Sequence, residues 1–271
     1  MKAKFASVPY LVWIVIFTII PMLLIIVFAF TSPEGSFTIA NISAVGRYTD
    51  VIMKSIWLAA VATAVCLLLS YPFAYILSRR PARQQQVSLM LIMLPMWMSF
   101  LLRTFAWMTL LEKTGLINRM LGVFGVGPLE MINTSGAVVL GMVYNYMPFM
   151  ILPLHSVMMK IDNSIIEAAQ DLGASPMRVF FRVVLPLSFP GVSSGITMVF
   201  VPAVSTFIIS RMLGGGSNLM IGDLIDMQFL GNAYNPHLGS AISLVLMVII
   251  LLCMSIMNQF DDDVDMEGAI L

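Results

Sequence analysis

Charge is scarce in this sequence: Asp, Glu, Lys and Arg together fill 10% of its 271 positions, against about 25% in soluble domains. A chain so poor in charge cannot present an ordinary water-facing surface. Its 14 Lys and Arg balance its 14 Asp and Glu, so the clustered basic face that a nucleic-acid partner requires is not expected. Cysteine and histidine are scarcer still. Cys66 and Cys253 sit inside apolar runs, where a free thiol packs as a small hydrophobe and no partner geometry suggests a disulfide. His155 and His237 stand apart, without the convergent spacing of metal ligands, so neither a metal nor a cofactor is expected on the chain. With no HExxH, CxxC or GxSxG string, an intramembrane hydrolase or other enzyme has no catalytic constellation in its favour.

What the chain has in abundance is apolar length. Hydrophobic residues make up 59% of it, and the mean hydropathy is +0.96. A helix needs about 20 apolar residues to cross a hydrocarbon layer about 30 Å thick. Six stretches qualify, over residues 8–30, 55–77, 87–111, 134–157, 187–209 and 238–260. In lipid every backbone polar group must find a partner within the segment, so such runs are expected as helices. The expectation is an all-α integral membrane protein with six transmembrane helices in a single domain spanning residues 1–271. The first run follows Lys2 and Lys4 but is longer than a signal-peptide core and lacks an A-x-A site, so it is expected to be retained. Lys and Arg bias sets the orientation. Lys2, Lys4, Arg79, Arg80, Arg83, Lys160, Arg178 and Arg182 fall on the N-terminal side of the membrane, against Arg47, Lys54, Lys113, Arg119 and Arg211 on the other. Both termini are therefore expected in the cytoplasm, with residues 261–271 as an acidic, solvated tail.

The segment Lys160–Pro186, between the fourth and fifth spans, is too polar to cross and too patterned for a plain linker. Ser164-Ile165-Ile166-Glu167 has the form of a capping box, and Gly173 suits the left-handed position that ends a helix. Ser175-Pro176 then restarts one, with serine as N-cap and proline at the first helical position. The second helix is expected over 176–184, with Pro186 closing it. Glu167-Ala168-Ala169, three residues, Gly173, nine residues, Val183, one residue and Leu185-Pro186 resembles the EAA loop of ABC importer permeases, with valine for the usual isoleucine. Asp171 and Ala174 fit the extended form of that motif. The resemblance implies a type I, MetI-like permease fold in which Glu167, Ala168, Ala169, Asp171, Gly173 and Ala174 couple the chain to a separate cytoplasmic ATPase. ATP and Mg would then belong to the ATPase, in keeping with the lack of a GxxxxGK[ST] phosphate cradle here. It further implies a homologous second permease, two ATPase copies, an extracytoplasmic binding protein and a setting of membrane lipid in the bacterial inner membrane.

Other stretches are similar to the permeases of spermidine/putrescine importers. They are Tyr71-Pro72-Phe73-Ala74-Tyr75, Leu94-Pro95-Met96-Trp97 with Arg103-Thr104, Leu152-Pro153-Leu154, Gly214–Gly222 and Gln228-Phe229-Leu230. A polyamine path would offer carboxylates and aromatic faces without deep binding. Candidates are Trp97, Trp107, Tyr144, Tyr146, Asp223 and Asp226, although packing or a solvated face is an equally simple role for them. Arg103, inside the third span, is expected to snorkel outward or to pair with a carboxylate such as Glu112. Gly191 and Gly195 form a GxxxG spacing suited to close helix contact, within the chain or between subunits, and Pro202 is placed to kink the fifth span. A permease for an anion, metal or sugar is the main alternative, and the outer acids Glu34, Asp50, Glu112, Glu130, Asp223 and Asp226 argue against an anion. A secondary transporter would need inverted repeats and mid-membrane carboxylates, and the sequence displays neither.

Overall fold

A computed structural model describes residues 8–231 and 233–268, with side chains described up to Ile256. Lys2 and Lys4 lie outside the described residues, as do positions 269–271 and the side chains of the acidic tail. Among the described residues the fold is all-helical, apart from one isolated bridge between Thr31 and Phe37.

Helix α1 covers residues 8–29, and a short α2 (Ala40–Val45) leads into α3 (Thr49–Ser78). Helix α4 (Ala82–Met93) ends in a 3-10 turn, Leu94–Trp97, and is followed by α5 (Phe100–Leu111) and α6 (Leu116–Val123). Then come α7 (Ser135–Met158), α8 (Asn163–Asp171), α9 (Pro176–Leu187) and α10 (Phe189–Val204). Helices α11 (Ile208–Leu213), α12 (Ile221–Phe229) and α13 (Pro236–Gly268) complete the order. Among the described residues four helices are each long and apolar enough to cross a membrane, and counting each of two bent pairs as one span gives up to six.

Those pairs correct two expected spans. Residues 87–111 do not form one straight helix: α4 with its 3-10 turn meets the α5–α6 arm at 89°. Met98 and Ser99 take extended ψ values of 149° and 132° at this corner, just beyond Pro95, which cannot donate to a helical ladder. The fifth span is not residues 187–209 either. Within that stretch Phe189–Val204 forms α10, which α9 precedes at a 63° bend, and the chain leaves the helix at Val204 and restarts as α11. Pro202 lies in the last turn of α10, so the bend belongs to Ser188.

Pro186, expected to close α9, is carried inside it. A π-helical turn at Phe180–Val184 immediately precedes it, with the Leu185 N–H donating to the Phe180 carbonyl. Widening the helix there relieves the clash between a proline ring and the carbonyl four residues back. The same device occurs in α1, where the π turn Val15–Ile19 precedes Pro21.

The core forms where α7 packs against α3 and α10. On α3, Leu58, Ala62, Cys66, Ser70 and Ala74 recur every fourth residue and are all buried. On α7 the buried residues Val138, Met142, Tyr146, Met150, Leu154 and Met158 keep the same interval with larger side chains. Small residues let backbones approach, and the Cys66 thiol reaches the Val143 carbonyl at 3.8 Å. Helix α10 uses its GxxxG spacing against α7 within this chain. A Cβ on Gly191 would lie 3.1 Å from the Pro153 carbonyl oxygen, and one on Gly195 would lie 2.6 Å from the Met150 sulfur. In α1, none of the membrane-spanning window is buried within the chain.

Candidate functional site

The EAA-type loop folds around a small apolar cluster of its own, while its Phe180 and Leu185 pack onto the main core. Helix α8 starts two residues earlier than the capping-box reading of Ser164 and Glu167 requires. Its N-cap is Asp162, whose carboxylate accepts from the Ser164 amide at 3.0 Å. That hydrogen bond holds the Asp162 carboxyl below its usual range. The helix ends at Gly173, which has φ +80° and donates to the Gln170 carbonyl, and the Ala174 amide returns to the Ala169 carbonyl at 3.1 Å. A residue with a Cβ is strained at such an angle. Ser175 occupies the N-cap position of α9 without a side-chain cap bond, and Pro176 follows within the first turn.

The motif residues divide by face. Ala169 and Ala174, with Ile166 and Val183, pack on a small apolar cluster of Ile161, Val179 and Val184, to which Tyr75 of α3 adds its ring. Glu167, Ala168 and Asp171 point outward and are exposed. Apolar side chains that the motif does not name share that exposure, most of all Leu172 at 89% and Met177 at 67%. Large apolar groups held in water beside a rigid corner mark a contact surface. They escaped the sequence reading because hydropathy in a polar loop gives no sign of which way a side chain faces.

Away from the loop the other candidates disperse. Trp107 and Tyr144 meet edge to face, with ring centroids 5.4 Å apart. Tyr146, two residues along α7, is buried and donates to the Pro202 carbonyl at 3.3 Å, so it joins α7 to α10. Trp97 is 78% exposed at the end of its 3-10 turn. Asp223 and Asp226 do share a face of α12, and both are held by Arg211. The Arg211 Nη2 is 2.5 Å from Asp226 Oδ2, and its Nε is 3.6 Å from Asp223 Oδ1. Asp223 is fully buried, with its other oxygen accepting from the Met220 amide at 2.9 Å. Burial pushes its carboxyl above the usual range, opposed by the Ser210 and Met220 hydrogen bonds and by Arg211. Glu130 pairs with Lys113, which holds its carboxyl below the usual range.

Arg103 neither snorkels nor meets Glu112. It is buried at 8% exposure, with its guanidinium 5.8 Å from the Phe100 ring, and among the described residues its ion pairs include no carboxylate. No group of three or more His, Cys, Asp or Glu able to hold a metal ion occurs among the described residues.

A bundle of up to six spans, two of them broken, with a rigid polar corner protruding from one side, has the architecture of an ABC importer permease. The chain belongs to the family described as binding-protein-dependent transport system inner membrane component, which matches residues 70–265. It is 38% identical over 250 residues to the spermidine/putrescine transport system permease protein PotB of Haemophilus influenzae, covering 89% of this chain and 87% of that protein. To PotB of Escherichia coli K12 it is 35% identical over 247 residues, covering 88% and 90%. Among solved structures, a bacterial ABC transporter that imports the acidic polysaccharide alginate superposes with a TM-score of 0.82. That match has 16% identity and covers 97% of this chain and 95% of the other. The alginate transporter in complex with its alginate pentasaccharide-bound periplasmic protein gives 0.81 at 16% identity, covering 95% and 93%. The chain is thus an inner-membrane transport subunit with the type I, MetI-like permease fold.

Proposed function

We propose that this chain is a permease subunit of an ATP-driven spermidine/putrescine importer, with loop 160–186 as its handle for a separate ATPase. The handle carries the reading: a helix capped at Asp162, turned at Gly173 and stiffened by its own apolar cluster, with Glu167, Ala168, Asp171, Leu172 and Met177 left exposed. A partner gripping that surface would move the corner as one body, which is what conversion of nucleotide-driven closure into helix motion requires. Hydrolysis belongs to the ATPase with its ATP and Mg, and this chain contributes no catalytic group. A second, homologous permease supplies the other half of the pathway, two ATPase copies occupy the cytoplasmic side, and an extracytoplasmic binding protein delivers the solute. The Arg79-Arg80-Pro81-Ala82-Arg83 loop supports a cytoplasmic placement of the handle and of both termini.

The polyamine assignment rests on the 35–38% identity to PotB permeases. Outer charge lends it little, because Lys113 holds Glu130 and Arg211 holds Asp223 and Asp226. The reading is tested with the chain reconstituted with its ATPase, sister permease and binding protein. Spermidine-loaded binding protein should stimulate ATP hydrolysis, and Glu167→Lys should reduce both ATPase co-purification and spermidine uptake. Co-purification and uptake both unchanged in that variant would overturn the handle. A lack of response to spermidine and to putrescine would remove the substrate.

A further inference from the structure

Chain connectivity joins the handle to α7 at its start and to α10 at its end. Helix α3, which forms the core with those two, is joined to the handle through side chains alone. The Arg79 Nη1, one residue beyond α3, donates to the Ile161 carbonyl at 3.3 Å and to the side-chain oxygen of Asn163. Its guanidinium also lies 5.6 Å from the Tyr75 ring. At the other end of the handle, Phe180 receives the edges of Tyr75 and Tyr71, with centroids 6.0 and 5.6 Å away. The Tyr71 hydroxyl is 2.7 Å from the Ser188 hydroxyl, at the bend between α9 and α10. Helix α3 therefore grips both the start and the finish of the handle, and the grip on the start is Arg79.

A plain packing role accounts for the aromatic contacts, but less well for the arginine. Its Nε and Nη2 are buried without hydrogen-bond partners, a net cost for a group with so many donors. Arg80 and Arg83, which share the loop, stay exposed, as a charge serving only topology would. Arg79 turns inward, leaves two nitrogens unsatisfied and directs the third onto the first residues of the handle. Lysine could reach the same two acceptors from one nitrogen but lacks the planar guanidinium that lies against Tyr75.

We propose that Arg79 is a positioning residue that straps the start of the handle to α3, so that α3 follows when the ATPase moves the handle. The proposal rests on the coupling role given above to loop 160–186. It is tested in the reconstituted complex with Arg79→Ala, Arg79→Lys and Asn163→Leu, measuring spermidine uptake, ATP hydrolysis and ATPase co-purification. Asn163 is exposed, so its replacement leaves the core intact even if loss of Arg79 impairs folding. The expected result is wild-type ATPase retention and near wild-type hydrolysis. Spermidine imported per ATP should fall about tenfold in Arg79→Ala, the factor one charge-assisted hydrogen bond represents. Asn163→Leu should fall by a smaller factor, since the Ile161 carbonyl still holds Arg79, and Arg79→Lys should recover part of the loss. Uptake and hydrolysis falling together at a constant ratio, a ratio unchanged in every variant, or loss of the ATPase would each overturn the strap. If Glu167→Lys uncouples the complex and Arg79→Ala does not, the strap alone fails. If Glu167→Lys has no effect, the handle fails with it.

Discussion

Removing Arg211 should cost more than removing the charge it neutralises. Asp223 is fully buried, and its carboxylate is held by the Met220 amide at 2.9 Å, by the Ser210 hydroxyl and by the Arg211 Nε at 3.6 Å. A hydrogen bond to a charged group is worth about 1.5–3 kcal/mol. The Arg211 side chain is half exposed, so as an attractive pair its contribution is closer to the ~0–1 kcal/mol of surface bridges. The costs of cutting each part are unequal. Asp223→Asn keeps an oxygen for the Met220 amide and sheds a buried charge, so it should cost no more than about 1 kcal/mol. Asp223→Ala orphans that amide, at about 1–3 kcal/mol. Arg211→Gln strands a buried carboxylate. The ~3–5 kcal/mol typical of such a loss falls to about 2–3 kcal/mol because Asp223 can take up a proton. Asp226, with its side chain 19% exposed, can turn to water. For a chain of this size, about 2–3 kcal/mol corresponds to a Tm drop of roughly 5–10 °C. Thermal unfolding in detergent, followed by a thiol-reactive dye at the fully buried Cys66, reads it. The double variant Arg211→Gln with Asp223→Asn should recover most of the loss. Equal losses from the two single changes, or strict additivity in the double, would refute the account.

The same site has a pH signature. The folded-state pKa of Asp223 lies above its reference value of 3.8, so the folded protein binds more protons than the unfolded chain in the window above that value. This site should make the protein more stable as pH falls from neutral toward that window, and Asp223→Asn should flatten that part of the Tm profile. Asp162 works in the opposite sense: its depressed pKa stabilises the folded state above its reference value of 3.8, and that gain is lost as pH falls through the folded pKa. Asp162→Ala should therefore speed amide exchange in α8 at neutral pH and leave it unchanged in strong acid. Gly191→Ala should destabilise by about 1–3 kcal/mol, because its Cβ would press on the Pro153 backbone oxygen. Gly195→Ala should cost less, since its nearest obstacle is the end of a flexible methionine side chain, the Met150 sulfur, rather than backbone; thermal unfolding distinguishes them. Leu172→Glu should weaken ATPase retention at least about tenfold, the equivalent of one leucine's burial, while leaving the Tm unchanged.

How much of this was legible depended on how local the cause was. Gly173 announced its turn because only a residue without a Cβ sits easily at φ +80°. The cap of α8 was misread by two residues, since Asp162 and Ser164 both offer oxygens and the structure uses the stronger carboxylate acceptor. Pro95 and Pro186 were visible, but not their opposite effects. One stands at an 89° corner, whereas a π turn carries the other inside its helix. Hydropathy counted Trp97 and Leu101 as members of a single span and gave no hint of the corner between them. The partner of Asp223 and Asp226 lies 12 and 15 residues upstream in another helix, beyond any periodicity argument. Arg103 defeated the expectation most plainly, because a pairing rule needs a carboxylate within reach, and this guanidinium has an aromatic ring instead.

The bend at Ser188 decides what kind of motion the handle can transmit. A hinge should be solvated and loosely bonded, yet Ser188 is fully buried. Its amide donates to the Val184 carbonyl, its hydroxyl reaches the Leu185 carbonyl at 3.0 Å, and the Tyr71 hydroxyl lies at 2.7 Å. Just beyond, Pro190 fixes φ at the start of α10, and Gly191 seats that helix against Pro153 and Val157 of α7. Flexing at such a corner would break several buried contacts at once, so the corner between α9 and α10 is expected to keep its angle while the two helices swing together. Spin labels on either side of it, at Met177 and Met198, both exposed, should hold a constant distance between nucleotide-free and ATP-trapped complexes. A label pair from Met177 to an outer residue of the sister permease should change distance between the same two states. A distance across the corner that varies with nucleotide would locate the flexing at Ser188 and refute the rigid lever.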